Sequence, residues 1–344
     1  MLRLPAFRYF APDRLDELLR LLASEGPGTR VVAGGTDLWP NMKRRHQRAE
    51  TVASLMRIAE LKGIDDSHEE VSIGSATVLA ELAANPMIRA RYPMLARAVS
   101  SISSPPLRNM GTIGGNLLLD TRCTYYNQTE EWRQSIDYCM KEAGTVCWVA
   151  PSSPRCWAHS ASDAAPALAA LDARVVLNSS DGEREVPLLD LYRDDGIDYL
   201  TITPNEVLTR VLLPSDSDQT QCSGAFWKLR RRGSIDFAVL SVAVAVWRNA
   251  AGIVERARIL LGAVSSRPAE AREAAEHLIG NQPSAERIGE AAQLARKAAT
   301  PLDNTDFKAQ WRGLMVERYA EAALAEALGF SNSRFRPPHP EIST

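Results

Sequence analysis

Four of the chain's five cysteines fall in one stretch, Cys123, Cys139, Cys147 and Cys156, with the spacing C-x15-C-x7-C-x8-C. Four thiolates from one segment can enclose an iron–sulfur cluster or a tetrahedral zinc ion. Zinc sites usually begin with a C-x2-4-C knuckle, and none occurs here, which shifts the balance toward a cluster. The neighbours are charged and polar, so thiols there gain little from burial; four reduced structural cysteines nevertheless stand as the third reading of these residues. His159, three residues past Cys156, could replace one thiol ligand or simply lie at the surface, and Cys222 stands apart.

Two glycine turns accompany this stretch. VVAGGTDL at Val31–Leu38 reads as a strand emptying into paired glycines, and TIGGN at Thr112–Asn116 repeats the pattern. Successive N–H groups in such a turn can converge on an anion without any positive side chain. Neither turn has the GxGxxG or GK[ST] spacing of a Rossmann or P-loop site. Together they suit a ligand with a diphosphate and a flat, many-edged ring; two ordinary turns are the rival reading.

The scaffold must present these pieces. With 344 residues and 45% hydrophobic content the chain can bury a sizeable core, and its length suits two or three domains. Lys+Arg 40 against Asp+Glu 42 leaves a net charge of -2, so no basic field exists for nucleic acid or an anionic membrane. MLRLPAFRYFAPDRL has neither a signal-peptide core nor a twin-arginine pair, and no membrane-length apolar run follows. A cytoplasmic location is expected, where reduced thiols favour metal or redox chemistry over disulfides.

Hydrophobic spacing predicts a helix over Pro12–Ser24, with Asp13 ahead of it and Gly26-Pro27-Gly28 behind, then a strand at Arg30–Ala33. Strands at Thr51–Leu55 and Val71–Ser75 precede a helical region, Val78–Ser103, broken by Pro86 and Pro93. After the cysteines, Asp163 is expected to N-cap the helix of AAPALAALDA, followed by a strand at Arg174–Leu177 and hairpin-like material through Glu206–Leu213. Pro214–Asp218 is turn-rich and marks the main boundary. Strands at Ala225–Arg231, Ala238–Trp247 and Arg256–Val264 come next, the last two joined by the turn Asn249–Gly252. Helices at Pro268–Ile279, Ala285–Ala298 and Phe307–Leu328 complete an α+β domain, and Phe330–Thr344 reads as a flexible or partner-docking tail.

Four ordered blocks, VVAGGTDL at Val31, RNMGTIGGNLL at Arg108, SDAAPALAALDA at Ser162 and WKLRRRGSIDFAVLSVAVAV at Trp227, resemble the FAD-binding medium subunits of the molybdenum hydroxylase (xanthine dehydrogenase-like) family. The resemblance runs to Leu328 and implies an α+β fold: a two-part FAD-binding domain of PCMH type, then a three-stranded antiparallel sheet with a helical bundle. The implied divisions are 1–56, 57–214 with a cysteine-bearing insert at 120–160, 215–330, and a tail at 331–344. Most members pass from TIGGN to SD far more directly. The insert wording, TRCTYYNQ and EEWR, is similar to that of the 4-hydroxybenzoyl-CoA reductase branch, whose β subunits carry a 4Fe-4S cluster beside the flavin; flavin subunits of certain aldehyde oxidoreductases have a related insert.

By that resemblance, Val32, Ala33, Gly34, Gly35, Thr36, Asp37 and Leu38 would surround the FAD diphosphate, with Thr112, Gly115 and Asn116 closing from the second turn. Asp163 would meet a polar edge of the cofactor, and Leu208 and Lys228 would approach the isoalloxazine ring. Without the resemblance, Leu208 is a buried strand leucine, and Lys228 a solvent-facing residue beside Arg230, Arg231 and Arg232. Cys123, Cys139, Cys147 and Cys156 would hold the 4Fe-4S cluster. Implied partners are a molybdopterin-binding large subunit, a small subunit with two 2Fe-2S clusters, and ferredoxin as electron donor; no substrate chemistry belongs to this chain itself. Two other readings are a flavin subunit passing electrons outward from a hydroxylase or aldehyde oxidoreductase, and a zinc-stabilised interaction protein.

Overall fold

The computed structural model describes residues 2–67, 70–214 and 222–330. Most of the turn-rich boundary (215–218) and the tail at 331–344 lie outside the described residues.

Three sheets organise the chain. The first is parallel, with β1 (Arg8–Phe10), β3 (Thr51–Ser54) and β2 (Thr29–Val32) in that spatial order. Helix α1 (Leu15–Glu25) connects β1 to β2 and turns Leu18 and Leu22 into a core with Ala53, Leu55, Ile58 and Leu61. Its apolar residues recur at helical spacing, so one face can be buried and the other left to Asp16 and Arg20. Gly26, at φ +73°, ends it by donating its N–H to Leu22 O at 3.2 Å. The helix begins three residues later than the sequence predicts, with Arg14 extended at the N-cap position and Asp13 paired with Arg57 ahead of it.

The second sheet is antiparallel, ordered β4 (Ile64–Asp65), β5 (Val71–Gly74), β8 (Val207–Leu213), β6 (Arg174–Ser179), β7 (Gly182–Pro187). Pro86 and Pro93 divide the expected helical region into α3 (Leu79–Ala84), α4 (Pro86–Arg91) and α5 (Pro93–Ser100), each proline occupying a first turn, where its missing N–H breaks no helical bond. Three short helices follow: α6 (Pro105–Arg108), α7 (Ile113–Leu117) and α8 (Glu130–Ser135). Then comes α9 (Ala164–Ala170), buried along its whole length.

The C-terminal sheet has four strands rather than the expected three: β12 (Ala269–Glu270), β11 (Val254–Gly262), β10 (Leu240–Arg248), β9 (Cys222–Leu229). Ala269 and Glu270 pair with Leu261 and Leu260, so the predicted helix at Pro268 starts only at α10 (Arg272–Leu278). Two further helices, α11 (Ala285–Lys297) and α12 (Ala309–Leu328), cover one face. The turn Asn249–Gly252 forms as expected, with Gly252 at φ +77° donating to Asn249 O.

β10 shows how this sheet joins the rest. Val242, Val244 and Val246 face the C-terminal helices, while Ala243, Ala245 and Trp247 face the core of the middle unit. The two-residue period thus buries both faces, and the alanines leave room for α9 to approach.

Candidate functional site

The two glycine turns meet through bare backbone. After β2, Ala33–Asp37 lead into α2 (Leu38–Lys43), with Gly35 at φ +69°. A Cβ placed on Gly34 would stand 1.7 Å from Met110 O, so no side chain fits where the first turn touches the segment ahead of the second. That segment is fastened to the end of β5: Leu79 N donates to Gly111 O (2.8 Å), Ile113 N to Thr77 O (3.0 Å) and Gly114 N to Ser75 O (2.9 Å). Thr112 caps α7, its Oγ1 accepting from Gly115 N at 3.2 Å.

Asn116 carries the turn onward to α9. Its Oδ1 accepts from Ser162 Oγ (2.8 Å) and from Ala164 N (3.2 Å). Asp163 sits at the N-cap position as expected but does not cap; Ser162 Oγ accepts from Ala165 N at 3.0 Å, so Ser162 and Asn116 together satisfy the first turn. The Asp163 carboxylate is thereby released for another partner. Lys228 Nζ donates to its Oδ2 at 2.6 Å, and both side chains are 4% exposed. Burial pushes the Asp163 carboxyl above its ordinary value, and Lys228 pulls it back down. Its Oδ1 is buried with no hydrogen-bond partner. Lys228, on β9, also reaches Ser101 O at 3.1 Å, so it does not face solvent. Leu208 lies in the apolar core on β8, opposite Leu177.

All four cysteines of the insert are buried. Cys123, Cys139 and Cys156 pack with Tyr126 and Ala158 in one apolar cluster. Cys147 and Cys156 interact through their side chains, which lowers the Cys147 thiol from its ordinary value and raises that of Cys156. Burial pushes Cys123 up to about 11. Polar sequence around the thiols did not keep them in water, because the charged neighbours neutralise one another in buried pairs.

Those pairs hold the insert in place. The Arg133 guanidinium, 1% exposed, pairs with Glu130 and Glu142 and donates to Arg44 O at 2.8 Å. Tyr126 OH donates to His46 O (2.7 Å), and the two rings lie 4.8 Å apart. Burial holds the His46 imidazole down at about 4. Lys141 Nζ donates to Asp120 Oδ1 (2.8 Å), Thr121 Oγ1 (2.7 Å) and Gly196 O (2.6 Å).

Arg122, immediately before Cys123, joins the insert to the first glycine turn. Its guanidinium pairs with Asp37 and lies 3.8 Å from the centre of the Phe237 ring, while its backbone exchanges hydrogen bonds with His159. Asp37 also accepts from Asn41 Nδ2 at 2.9 Å, so this carboxylate ties the turn to the insert. His159 is fully enclosed, and its ring Nδ1 lies 3.0 Å from Ser160 O. On the far side, Thr124 N donates to Asn304 O (2.8 Å) and Asn304 Nδ2 to Trp157 O (2.6 Å), fastening the insert to the C-terminal unit.

The structure therefore brings Val32 to Leu38 together with Thr112, Gly115, Asn116 and Asp163, and gathers the four cysteines beside them. Sequence reading missed Arg122, Arg133, Lys141, Asp120 and Ser162; an arginine directly ahead of the first cysteine was the one available hint. The residues fit both implied groups. In the first turn the paired glycines Gly34 and Gly35 place no side chain over the backbone N–H groups, and Asp163 Oδ1 is an open acceptor suited to a hydroxyl donor. Four buried thiols from one segment, three of them packed in one cluster, are of the donor type an iron–sulfur cluster would need. Among the described residues, no group of three or more His, Cys, Asp or Glu side chains is placed to hold a metal ion as the side chains stand.

A family model described as FAD binding domain in molybdopterin dehydrogenase matches residues 5–216, and one described as CO dehydrogenase flavoprotein C-terminal domain matches residues 224–327. The chain is 29% identical over 326 residues to the carbon monoxide dehydrogenase medium chain of Hydrogenophaga pseudoflava, covering 93% of this chain and 98% of that one. It is 31% identical over 264 residues to the aldehyde oxidoreductase FAD-binding subunit PaoB of Escherichia coli, covering 72% and 78% respectively. The structure superimposes on carbon monoxide dehydrogenase from Hydrogenophaga pseudoflava with a TM-score of 0.79 at 27% identity, covering 95% of this chain and 99% of that one. No described helix is long and apolar enough to cross a membrane.

Proposed function

Because the chain belongs to the FAD-binding medium subunits of the xanthine dehydrogenase and carbon monoxide dehydrogenase family, we propose that it is the electron-transfer subunit of a molybdenum complex, holding FAD and a 4Fe-4S cluster. FAD, when bound, exchanges one or two electrons, and such a cluster exchanges one at a time. The single observation that carries the cluster is the burial of all four thiols, with Cys123, Cys139 and Cys156 packed together, in a segment ion-paired to the first glycine turn.

The chain's own residues divide the work. The turn from Val32 to Leu38 would take the diphosphate on backbone N–H groups, while Thr112, Gly115 and Asn116 would brace it from the second turn, where the N–H groups of Ile113 to Asn116 are spent inside the protein. Asp163 would accept a hydrogen bond from a hydroxyl of the cofactor through Oδ1, while Lys228 holds Oδ2 and offsets part of the rise that burial imposes on the carboxyl. Lys228 would lie toward the flavin ring, where a fixed cation favours a reduced, anionic flavin; Leu208 would serve through core packing behind it. Residues 1–56 and 57–214 would form the two parts of the FAD-binding domain, and 215–330 the C-terminal domain.

The insert wording, TRCTYYNQ and EEWR, supports the finer reading of a 4-hydroxybenzoyl-CoA reductase β subunit, fed by ferredoxin and partnered by a molybdopterin-binding large subunit and a small 2Fe-2S subunit in the cytoplasm. A second reading, electron flow outward from an oxidised substrate, is favoured by the likeness to the aldehyde oxidoreductase FAD-binding subunit. The purified complex separates them. Dehydroxylation of 4-hydroxybenzoyl-CoA with reduced ferredoxin is the expected result; aldehyde oxidation coupled to an acceptor, with no thioester turnover, would replace it by the second.

A further inference from the structure

The insert contains a buried cation that tethering alone does not explain. Lys141 is 5% exposed and lies two residues past Cys139. Its ammonium is enclosed by groups that themselves touch the thiols. Tyr126, whose ring centre is 5.0 Å from Nζ, packs against Cys123, Cys139 and Cys156. Gly196, whose carbonyl accepts from Nζ at 2.6 Å, is pressed so closely on Cys156 that a Cβ there would stand 2.7 Å from the sulfur. The second ring, Tyr199, is 5.3 Å away. Among the described residues, Asp120, 9% exposed, is the carboxylate paired with the ammonium, and Gln47 Nε2 donates to its other oxygen at 3.1 Å.

A lysine and an aspartate buried together cost desolvation energy, and neutral hydrogen-bonding residues could tie the same segments. What they cannot do is impose a fixed charge in a low-dielectric setting, where a charge acts strongly on any neighbour that takes up an electron. The other three cations of the insert are paired as well: Arg133 with Glu130 and Glu142, Arg122 with Asp37, and Arg155 with Asp194.

We infer that Lys141 sets the electron affinity of the iron–sulfur centre held by the four cysteines, with Asp120 as its opposing charge. The inference rests on the cluster reading of those thiols. Lys141 is a positioning and electrostatic residue, acting across Tyr126 and Gly196 rather than as a ligand. Gain of one electron by the centre adds a negative charge, which the ammonium stabilises and the Asp120 carboxylate opposes.

The experiment is a redox titration of the anaerobically purified complex, followed by electron paramagnetic resonance, with iron, labile sulfide and FAD measured on each sample. Lys141→Met should lower the centre's electron affinity by about tenfold, equal to about 59 mV for a one-electron couple. Asp120→Asn should raise it, and Lys141→Arg should stay near the parent. A cluster present in Lys141→Met at an unmoved potential would overturn the inference. If that variant loses its cluster, Asp120→Asn decides: an unmoved potential there overturns the inference equally. A parent complex with no iron beyond its small subunit's clusters would remove the cluster reading and this inference with it.

Discussion

The glycine turns at Gly34–Asp37 and Thr112–Asn116 meet through backbone, with carbonyls and amides doing the fastening, whereas the segment bearing the cysteines is held by charged side chains sealed from water. The first arrangement tolerates few residue types, because a Cβ at Gly34 would fall on Met110 O. The second needs several long-range pairs to form together, and each works only if its partner is present. Turns of the first kind survive loss of a neighbour; an insert of the second kind should fail as a unit.

Arg133→Met should have the largest effect. It strips Glu142 of a nearly buried partner and empties the contact with Arg44 O. Breaking such a pair costs about 3 kcal/mol where one carboxylate, here Glu130, can still reach water. Limited proteolysis should cut within 120–160 and iron content should fall, while FAD stays bound. Retained iron with an uncut insert would show that the two regions are held alike.

Gly34→Ala reverses the pattern. The turns must move apart, at a cost of about 1–3 kcal/mol, so flavin retention should fall while iron remains. Flavin fluorescence released on gel filtration, against iron in the same fractions, checks it; equal loss of both would merge the two regions into one unit.

Acid distinguishes the regions next. His46 is held at about 4 in the folded chain against an ordinary 6.5, so between those values the unfolded chain binds the extra proton. The stability tied to neutral His46 is therefore complete above pH 6.5 and is lost as pH falls toward 4, a difference on the order of 2 kcal/mol. Melting curves of the parent and His46→Gln should converge as pH drops through that window. Parallel curves would mean that this ring does not titrate with unfolding.

The smallest effect belongs to Thr112→Ala, which removes the cap on α7 for about 1 kcal/mol. A slightly lower melting temperature is expected, with iron unchanged.

The contrast also explains what could be read from the chain. VVAGGTDL and TIGGN were legible because only glycine tolerates those contacts, and the prolines at 86 and 93 marked their helix starts directly. Leu18, Leu22 and the alternation in β10 followed from simple periods. The insert resisted because Lys141 meets Asp120 and Gly196 from distant positions, and no spacing rule encodes that meeting. Asp163 misled for a related reason. Its N-cap position was correct, but Ser162 took the capping role and Lys228, 65 residues away, took the carboxylate. The strand β12 was missed because two residues are too short for any periodicity to register.

The central claim is that one continuous segment, Arg108 to Asp163, holds flavin and cluster side by side through different means. Iron, labile sulfide and FAD measured in the anaerobic complex, parent against Cys139→Ser, test it most directly. The expected result is loss of one cluster's iron and sulfide with FAD retained and flavin absorbance unchanged. Equal iron and sulfide in parent and variant would contradict it.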